Sequence, residues 1–279
     1  MKKFLAAICA VLALTTTAGA VEVAAPSALL MEKETGAILY AKDEHAKLEP
    51  ASVTKVMTLL LTMEAIDAGQ LHYDDVVTAS AHACSMGGSQ IWLKENEQMT
   101  VSDMLKAVCV VSANDCAVAL GEAISGSEEA FVALMNRKAG ELGMKHTHFA
   151  NCTGLTSPEH YSSAADLAVL LQAALNNETF RTVFTTGQYT SSVTAQHPKG
   201  LYMASTLLSR LDGGEVTGGQ ILGGKTGYTD AAGLCLASLA VVNGKEYILV
   251  TLGAPGNHAT EQTNIMDAVQ VYRRLEKKK

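Results

Sequence analysis

Short apolar runs, separated by polar or glycine-containing turns, lie near both ends of this chain and predict β-strands. Residues 27–41 form two apolar runs around a polar turn, which is typical of a β-hairpin. Near the other end, apolar runs at 233–242 and 247–252 flank Asn243-Gly244, a dipeptide that favours a tight hairpin turn. These four runs predict one sheet built from N-terminal and C-terminal strands.

The middle of the chain carries apolar residues at helical spacing instead. A long buried helix is predicted from Ser52 to about Ala68, because Pro50 marks its start and Gly69 its end. A helical lobe is therefore expected between the two halves of the sheet. The remaining predictions are helices over 101–111, 115–124, 127–142, 164–175 and about 259–275, short strands and loops over 76–99, an extended run over 189–194 and a glycine-rich stretch over 213–224.

The first twenty residues predict an export signal and lie outside the expected fold. Lys2 and Lys3 precede an apolar run at 4–14, and Ala18-Gly19-Ala20 supplies small residues for cleavage. That run is too short for a membrane span. We therefore expect an exported chain with one domain over 21–279, in which the helical lobe occupies roughly 75–185.

Composition excludes several classes of function. The formal net charge of −7 gives no electrostatic reason to bind nucleic acid. His146 and His148 lack further ligands at metal-binding spacing, so no metal or cofactor is predicted. Five cysteines follow the signal, an odd number that leaves at least one unpaired, although one disulfide stays possible. They are Cys84, Cys109, Cys116, Cys152 and Cys235.

Candidate chemistry begins with Ser52 and Lys55, which are three residues apart and share one helix face. A serine hydroxyl becomes a good nucleophile only when a base removes its proton. Lysine can be that base if burial or a nearby cation lowers its pKa, and Lys225 is a candidate for that cation. Taken alone, the pair favours a helix cap followed by a solvated lysine.

Two further motifs complete the pattern. Ser112-Ala113-Asn114 falls at a break between two helices, where Ser112 can relay a proton and Asn114 can hold both a lysine and a substrate carbonyl. Lys225-Thr226-Gly227 begins an extended run, so Lys225 can point into a cleft and Thr226 can bind a carboxylate. Gly227 would leave room for a substrate backbone. Singly, each motif is explained as well by an ordinary turn.

A competing pattern overlaps the third motif. Residues 219–226 satisfy the phosphate-loop expression G-x-x-x-x-G-K-[ST], which requires a strand before it and a helix after it. The residues that follow are Gly227-Tyr228-Thr229-Asp230 and then a β-like run. We therefore favour the serine site and predict no nucleotide ligand.

In this order, the three motifs resemble those of the serine D-alanyl-D-alanine carboxypeptidases, the low-molecular-mass penicillin-binding proteins. The resemblance covers about residues 25–275. It implies a β-lactamase/transpeptidase-like α/β (α+β) fold: a five-stranded antiparallel sheet flanked by helices, with an inserted all-helical lobe. The matching text lies at 50–58, 93–97, 112–115, 151–155, 160–166 and 224–229.

The resemblance also implies substrates and roles. The substrates would be peptidoglycan stem pentapeptides, which lose their terminal D-alanine, and β-lactams would be inhibitors at the cell envelope. The implied roles are Ser52 as nucleophile, Lys55 as general base, Ser112 as proton relay, Asn114 as the group orienting Lys55 and substrate, Lys225 as a nearby cation, the backbone N–H groups of Ser52 and Tyr228 as oxyanion hole, and Thr226, Gly227 and Thr229 as substrate contacts.

The sequence departs from the family pattern in two respects. Many relatives carry a further β-rich domain and a C-terminal membrane anchor, and neither is expected in the residues up to Lys279, which leaves membrane association open. Relatives often place an arginine near 257–260, where this chain has only His258. A DD-endopeptidase, a class A-like β-lactamase and an inactive wall-binding or β-lactam-sensing module remain alternatives. The β-lactamase is disfavoured because residues 151–154 contain no glutamate.

Overall fold

The computed structural model describes residues 22–211 and 215–275, so the predicted export signal lies outside the described residues. Within them, no helix combines the length and apolar content needed to cross a bilayer. The strands are β1 (Ser27–Glu32), β2 (Ile38–Lys42), β3 (Val76–Thr78), β4 (Gln98–Thr100), β5 (Gln188–Thr190), β6 (Tyr202–Ala204), β7 (Glu215–Val216), β8 (Gly219–Thr229), β9 (Gly233–Val242) and β10 (Lys245–Ala254). The helices are α1 (Lys55–Asp67), α2 (Ala81–Cys84), α3 (Val101–Val110), α4 (Asn114–Ser125), α5 (Glu128–Glu141), α6 (Ala164–Ala174), α7 (Glu178–Phe184) and α8 (Thr263–Arg274).

An antiparallel sheet with the order β2-β1-β10-β9-β8-β7 forms the centre of the fold. Strand β1 pairs with β10, so that Ala28 lies opposite Thr251, and this pairing joins the two ends of the chain as predicted. Five strands are long, and the two-residue β7 adds a short sixth strand at the edge. The predicted α+β fold class is confirmed.

Apolar side chains fill both faces of the sheet. On one face, α1 is buried along nearly its whole length and packs among α3, α4 and α6. On the other face, Ile265, Ala268, Val271 and Tyr272 of α8 pack against β9 and β10. Removing this apolar surface from water, at about 25 cal/mol per Å², is the main force that holds the layers together.

The inserted lobe contains helices α2 to α5 and the small sheet β3–β4, in which Val77 lies opposite Met99. The lobe is therefore not formed by helices alone, in keeping with the strands expected over 76–99. Helix α7 was absent from the sequence-based prediction. The five described cysteines are all free thiols, and four of them are buried.

Two helix boundaries differ from the prediction. Ser52 does not lie in α1 but in a 3₁₀ turn, Ala51–Thr54, which leads into the α-helix at Lys55. The last helix begins at Thr263, later than expected, because the side chains of Asn257 and Thr260 bind backbone groups and close a turn before it. Side-chain bonds of this kind compete with the helical hydrogen-bond pattern.

The phosphate-loop interpretation is wrong. Residues 219–229 form one continuous strand, β8, which leads by a short turn into β9 and has no helix after it. The glycines therefore belong to a paired strand rather than to a loop that surrounds a phosphate.

Candidate active site

The 3₁₀ turn places Ser52 beside the first residue of α1. Lys55 Nζ lies 2.8 Å from Ser52 Oγ and donates to the Thr153 carbonyl at 2.6 Å. The Lys55 side chain is fully buried. Ala51, directly before the serine, has a φ of +45°, a conformation that non-glycine residues seldom adopt and that is concentrated at functional sites.

Lys225 lies in β8, which runs directly past the 3₁₀ turn. Its side chain is also fully buried, and Nζ donates to the Thr226 carbonyl at 2.7 Å. Burial lowers the pKa of Lys225 to about 8. Burial, reinforced by the Lys225 ammonium, lowers the pKa of Lys55 well below its usual value. Lys55 is thus the kind of lysine that can lose its proton and act as a base.

Ser112 and Asn114 lie at the break between α3 and α4. Ser112 adopts a φ of +65°, which ends α3 and turns the chain into α4. The Asn114 side-chain nitrogen donates to the Gly87 carbonyl at 2.6 Å, so the predicted contact with Lys55 does not occur among the described hydrogen bonds. Ser112 Oγ and Asn114 Oδ1 are buried and have no hydrogen-bond partner among the residues that the structure describes. Buried polar atoms without partners are candidates for contacts with a ligand.

One cleft of about 60 Å³ brings most of the predicted residues together. Thr226 and Tyr228 line it, and Thr226 Oγ1 lies 2.6 Å from Thr206 Oγ1. Gly227 lies so close to the serine segment that an added Cβ would be 2.9 Å from the Ser52 nitrogen. The full lining is Ser52, Ser89, Ser112, Thr206, Arg210, Thr226, Gly227, Tyr228, Leu234, His258, Gln262 and Asn264.

Thr229 lies outside this lining. Its Oγ1 accepts from the Ala232 N–H at 3.0 Å and lies 3.5 Å from Glu49 Oε2. The first bond lies in the turn between β8 and β9, and the second contact joins this turn to Glu49.

The edge of β8 beside the cleft is open. Strand β7 pairs only with Gly219 and Gln220, so among the described residues the rest of β8 pairs on its other side alone, with β9. An unpaired strand edge offers backbone N–H and C=O groups to an extended peptide. The cleft can therefore accept a peptide as an added strand, next to the serine.

Arg210 lines the cleft and was not found from the sequence. It ends a short 3₁₀ turn, Leu208–Arg210, and is exposed to solvent. His258 lines the same cleft and packs edge-on against the Tyr228 ring, with 4.7 Å between ring centroids. The cleft thus contains an arginine, although none is present at 257–260. No local motif marks Arg210, because only the tertiary fold brings it to the cleft.

Asp115 is a second residue whose role the sequence did not reveal. Its buried carboxylate accepts hydrogen bonds from the backbone N–H groups of Ile91 and Leu93. The shortest N–O distance is 3.1 Å for each of the two. The Asn114 N–H donates to the Ser89 carbonyl at 2.7 Å. Together these bonds fix the segment that carries Gly87 and Ser89 against the start of α4.

The serine lies beside a buried lysine that can lose its proton, and a second buried lysine and buried polar atoms without partners lie nearby. This arrangement defines a serine acyl-transfer site with a lysine base. A family model described as D-alanyl-D-alanine carboxypeptidase matches residues 14–256. The chain belongs to that family of serine peptidases.

Individual relatives agree with this assignment. The chain is 44% identical over 247 residues to the D-alanyl-D-alanine carboxypeptidase DacF of Bacillus subtilis, and the match covers 87% of this chain and 61% of the relative. It is 32% identical to a D-alanyl-D-alanine endopeptidase of Pseudomonas aeruginosa, over 91% of this chain and 78% of that protein. The crystal structure of penicillin-binding protein 6B from Escherichia coli superimposes with a TM-score of 0.77 at 33% identity, over 90% of this chain and 77% of the other. The chain spans about three fifths of the length of the Bacillus relative.

Proposed function

We propose that this protein is a DD-carboxypeptidase that removes the terminal D-alanine from peptidoglycan stem pentapeptides. The observation that carries the proposal is the distance of 2.8 Å between Lys55 Nζ and Ser52 Oγ, beside the buried Lys225 and next to the open edge of β8. The family membership and the name of the Bacillus relative support the same reaction.

The first chemical step forms an acyl-enzyme. Neutral Lys55 takes the proton of Ser52 as Oγ attacks the carbonyl carbon of the penultimate D-alanine. The N–H groups of Ser52 and Tyr228 hold the oxygen that becomes negative, and each such donor is worth about 3–4 kcal/mol. When the peptide bond breaks, the proton on Lys55 passes through Ser112 to the leaving amine, and D-alanine departs.

The second step restores the enzyme. A water molecule attacks the ester carbon and gives a proton to Lys55. This proton passes to Ser52 Oγ as the ester bond breaks and the shortened peptide is released. A β-lactam enters the same first step, but its amine remains tethered after the ring opens and blocks the water. We therefore propose β-lactams as slow-leaving inhibitors, in keeping with the penicillin-binding name of a structural relative.

Substrate recognition uses the open edge of β8 and the polar side chains of the cleft. The stem peptide would lie along the strand as an added strand. Its terminal carboxylate would bind Thr226 and the exposed Arg210, which line the cleft together. The unpaired Asn114 Oδ1 would accept from a substrate amide.

The location of the protein belongs to the same proposal. A substrate in the peptidoglycan requires export, and residues 1–20 carry the composition of an export signal. We propose that the chain acts in the cell envelope.

The test combines product release with intact mass. D-alanine release from a peptide ending in D-Ala-D-Ala is expected for the wild type, and Ser52→Ala should lower it by at least 1,000-fold, since the nucleophile is lost. Penicillin should add its mass to Ser52, and the adduct should persist for many minutes. Equal release by both proteins would reject the assignment.

The same assays separate the alternatives. Faster cleavage of a cross-linked peptide dimer than of the pentapeptide would favour the endopeptidase, an activity that the name of the Pseudomonas relative supports. Rapid loss of the penicillin adduct would indicate a β-lactamase. Ligand binding without an adduct or turnover would indicate a silent wall-binding or sensing module.

A further inference from the structure

A chain of hydrogen bonds leads from the surface of the helical lobe to the buried Lys55. The exposed His82 on α2 lies 2.7 Å from Glu128, Nε2 to Oε2. The other carboxylate oxygen of Glu128 accepts from the Cys152 N–H at 3.1 Å and from its thiol at 3.3 Å. The next residue, Thr153, offers the carbonyl to which Lys55 Nζ donates at 2.6 Å.

Glu128 holds this position firmly. It lies in the first turn of α5, a helix anchored in the core of the lobe through Phe131, Met135 and Ala139. Its side chain is 17% exposed, compared with 49% for His82. A carboxylate that gives up most of its hydration and accepts three hydrogen bonds is a strong and directional anchor.

The segment 151–154 that Glu128 anchors lies against the reacting groups. Thr58 of α1 donates to the Cys152 carbonyl at 2.7 Å, so the segment is held from both sides. Gly154 packs so closely on the serine segment that a Cβ there would be 1.8 Å from the Ala51 carbonyl oxygen. A displacement of this segment would therefore move the acceptor of Lys55 and disturb the residue before Ser52.

We infer that Glu128 is a positioning residue for acylation: by holding the backbone of Cys152, it fixes the Thr153 carbonyl that aims the Lys55 amine at Ser52. This inference rests on the proposed function, because it concerns the base of that reaction. It assigns to a residue in the lobe, outside the cleft lining, a part in the alignment of nucleophile and base.

The experiment measures acylation by a fluorescent penicillin and separates the binding constant K from the acylation rate constant k2. Glu128→Ala should lower k2 about tenfold, because small misalignments of reacting groups are costly, while K changes by less than about twofold. Glu128→Gln keeps an acceptor for the Cys152 N–H, and it should restore k2 to within about threefold of the wild type.

Glu129→Ala is the matched control, since Glu129 is exposed in the same first turn and has the same relation to the helix dipole. It should leave k2 and K unchanged. Equal k2 values for Glu128→Ala and Glu129→Ala, or a loss that appears in K, would overturn the inference.

If Glu128→Ala does not fold, Glu128→Asp takes its place, because it keeps the charge and shortens the reach. A wild-type k2 in that variant would also overturn the inference. Absence of any adduct on the wild type would instead overturn the proposed function.

Discussion

Single residues in this site are held in conformations and environments that the chain would avoid elsewhere. Ala51 and Ser112 have positive φ angles without being glycine, and the side chains of Lys55 and Lys225 are fully buried. Each of these features costs free energy of folding, by about 1–3 kcal/mol for the backbone conformations. Their position in or next to the segments that line the cleft of Ser52 indicates that they are retained for chemistry rather than for stability.

Arg210 is the residue at which the recognition of a free carboxylate can be tested. Arg210→Ala should lower kcat/KM for a peptide ending in D-Ala-D-Ala about 10- to 100-fold, because a charge-assisted hydrogen bond contributes about 1.5–3 kcal/mol. The same substitution should have little effect on a peptide whose C-terminus is amidated.

Arg273→Ala provides the control for this measurement, since Arg273 lies on α8 outside the cleft lining. It should leave the kinetics of both peptides unchanged. An equal loss on the acid and the amide in Arg210→Ala would show that the arginine does not read the carboxylate.

Secondary-structure elements bring the three motifs together by different means. Lys55 is the first residue of the buried helix α1, Lys225 lies in strand β8, and Ser112 lies at the break between α3 and α4. The position of Ser112 depends on a loop, because residues 87–93 lie against the start of α4. The carboxylate of Asp115 holds the end of this loop at residues 91 and 93, and Asn114 binds its beginning at Gly87 and Ser89.

Asp115→Ala should reduce the free energy of unfolding by about 2–4 kcal/mol. The substitution leaves the buried N–H groups of Ile91 and Leu93 without an acceptor, and each unsatisfied group costs about 1–3 kcal/mol. Urea unfolding followed by circular dichroism gives the difference. Glu95→Ala, an exposed carboxylate in the neighbouring loop, should change stability by less than about 0.5 kcal/mol. Similar values for the two variants would contradict the anchoring role.

At the scale of the whole molecule, much of the architecture could be predicted from periodicity and the motif order. The hairpin at Asn243-Gly244, the helices of the lobe and the joining of the two chain ends are all present. What could not be predicted depends on tertiary contacts. The glycine-rich run became β8 because β9 pairs along it. Arg210 reaches the cleft only through the tertiary fold, and Asp115 binds a loop that carries no recognisable motif.

The two buried lysines also make the stability of the whole molecule depend on pH. Because burial lowers the pKa of Lys225 from 10.5 to about 8, the unfolded chain binds more protons than the folded chain between those values. The contribution of Lys225 to the free energy of unfolding therefore rises as pH increases from about 8 to 10.5, and it is unfavourable below pH 8.

Lys225→Met fills a similar volume without a charge, so it should raise stability at pH 7 by about 1–3 kcal/mol while abolishing acylation. Urea unfolding at several pH values measures the difference between the two proteins, which should shrink as pH rises through that window. Lys245→Met removes an exposed lysine that pairs with Glu32, so it should not raise stability at pH 7. A Lys225→Met variant that is less stable than the wild type at pH 7 would mean that the buried ammonium is held by stronger interactions than its bond to the Thr226 carbonyl.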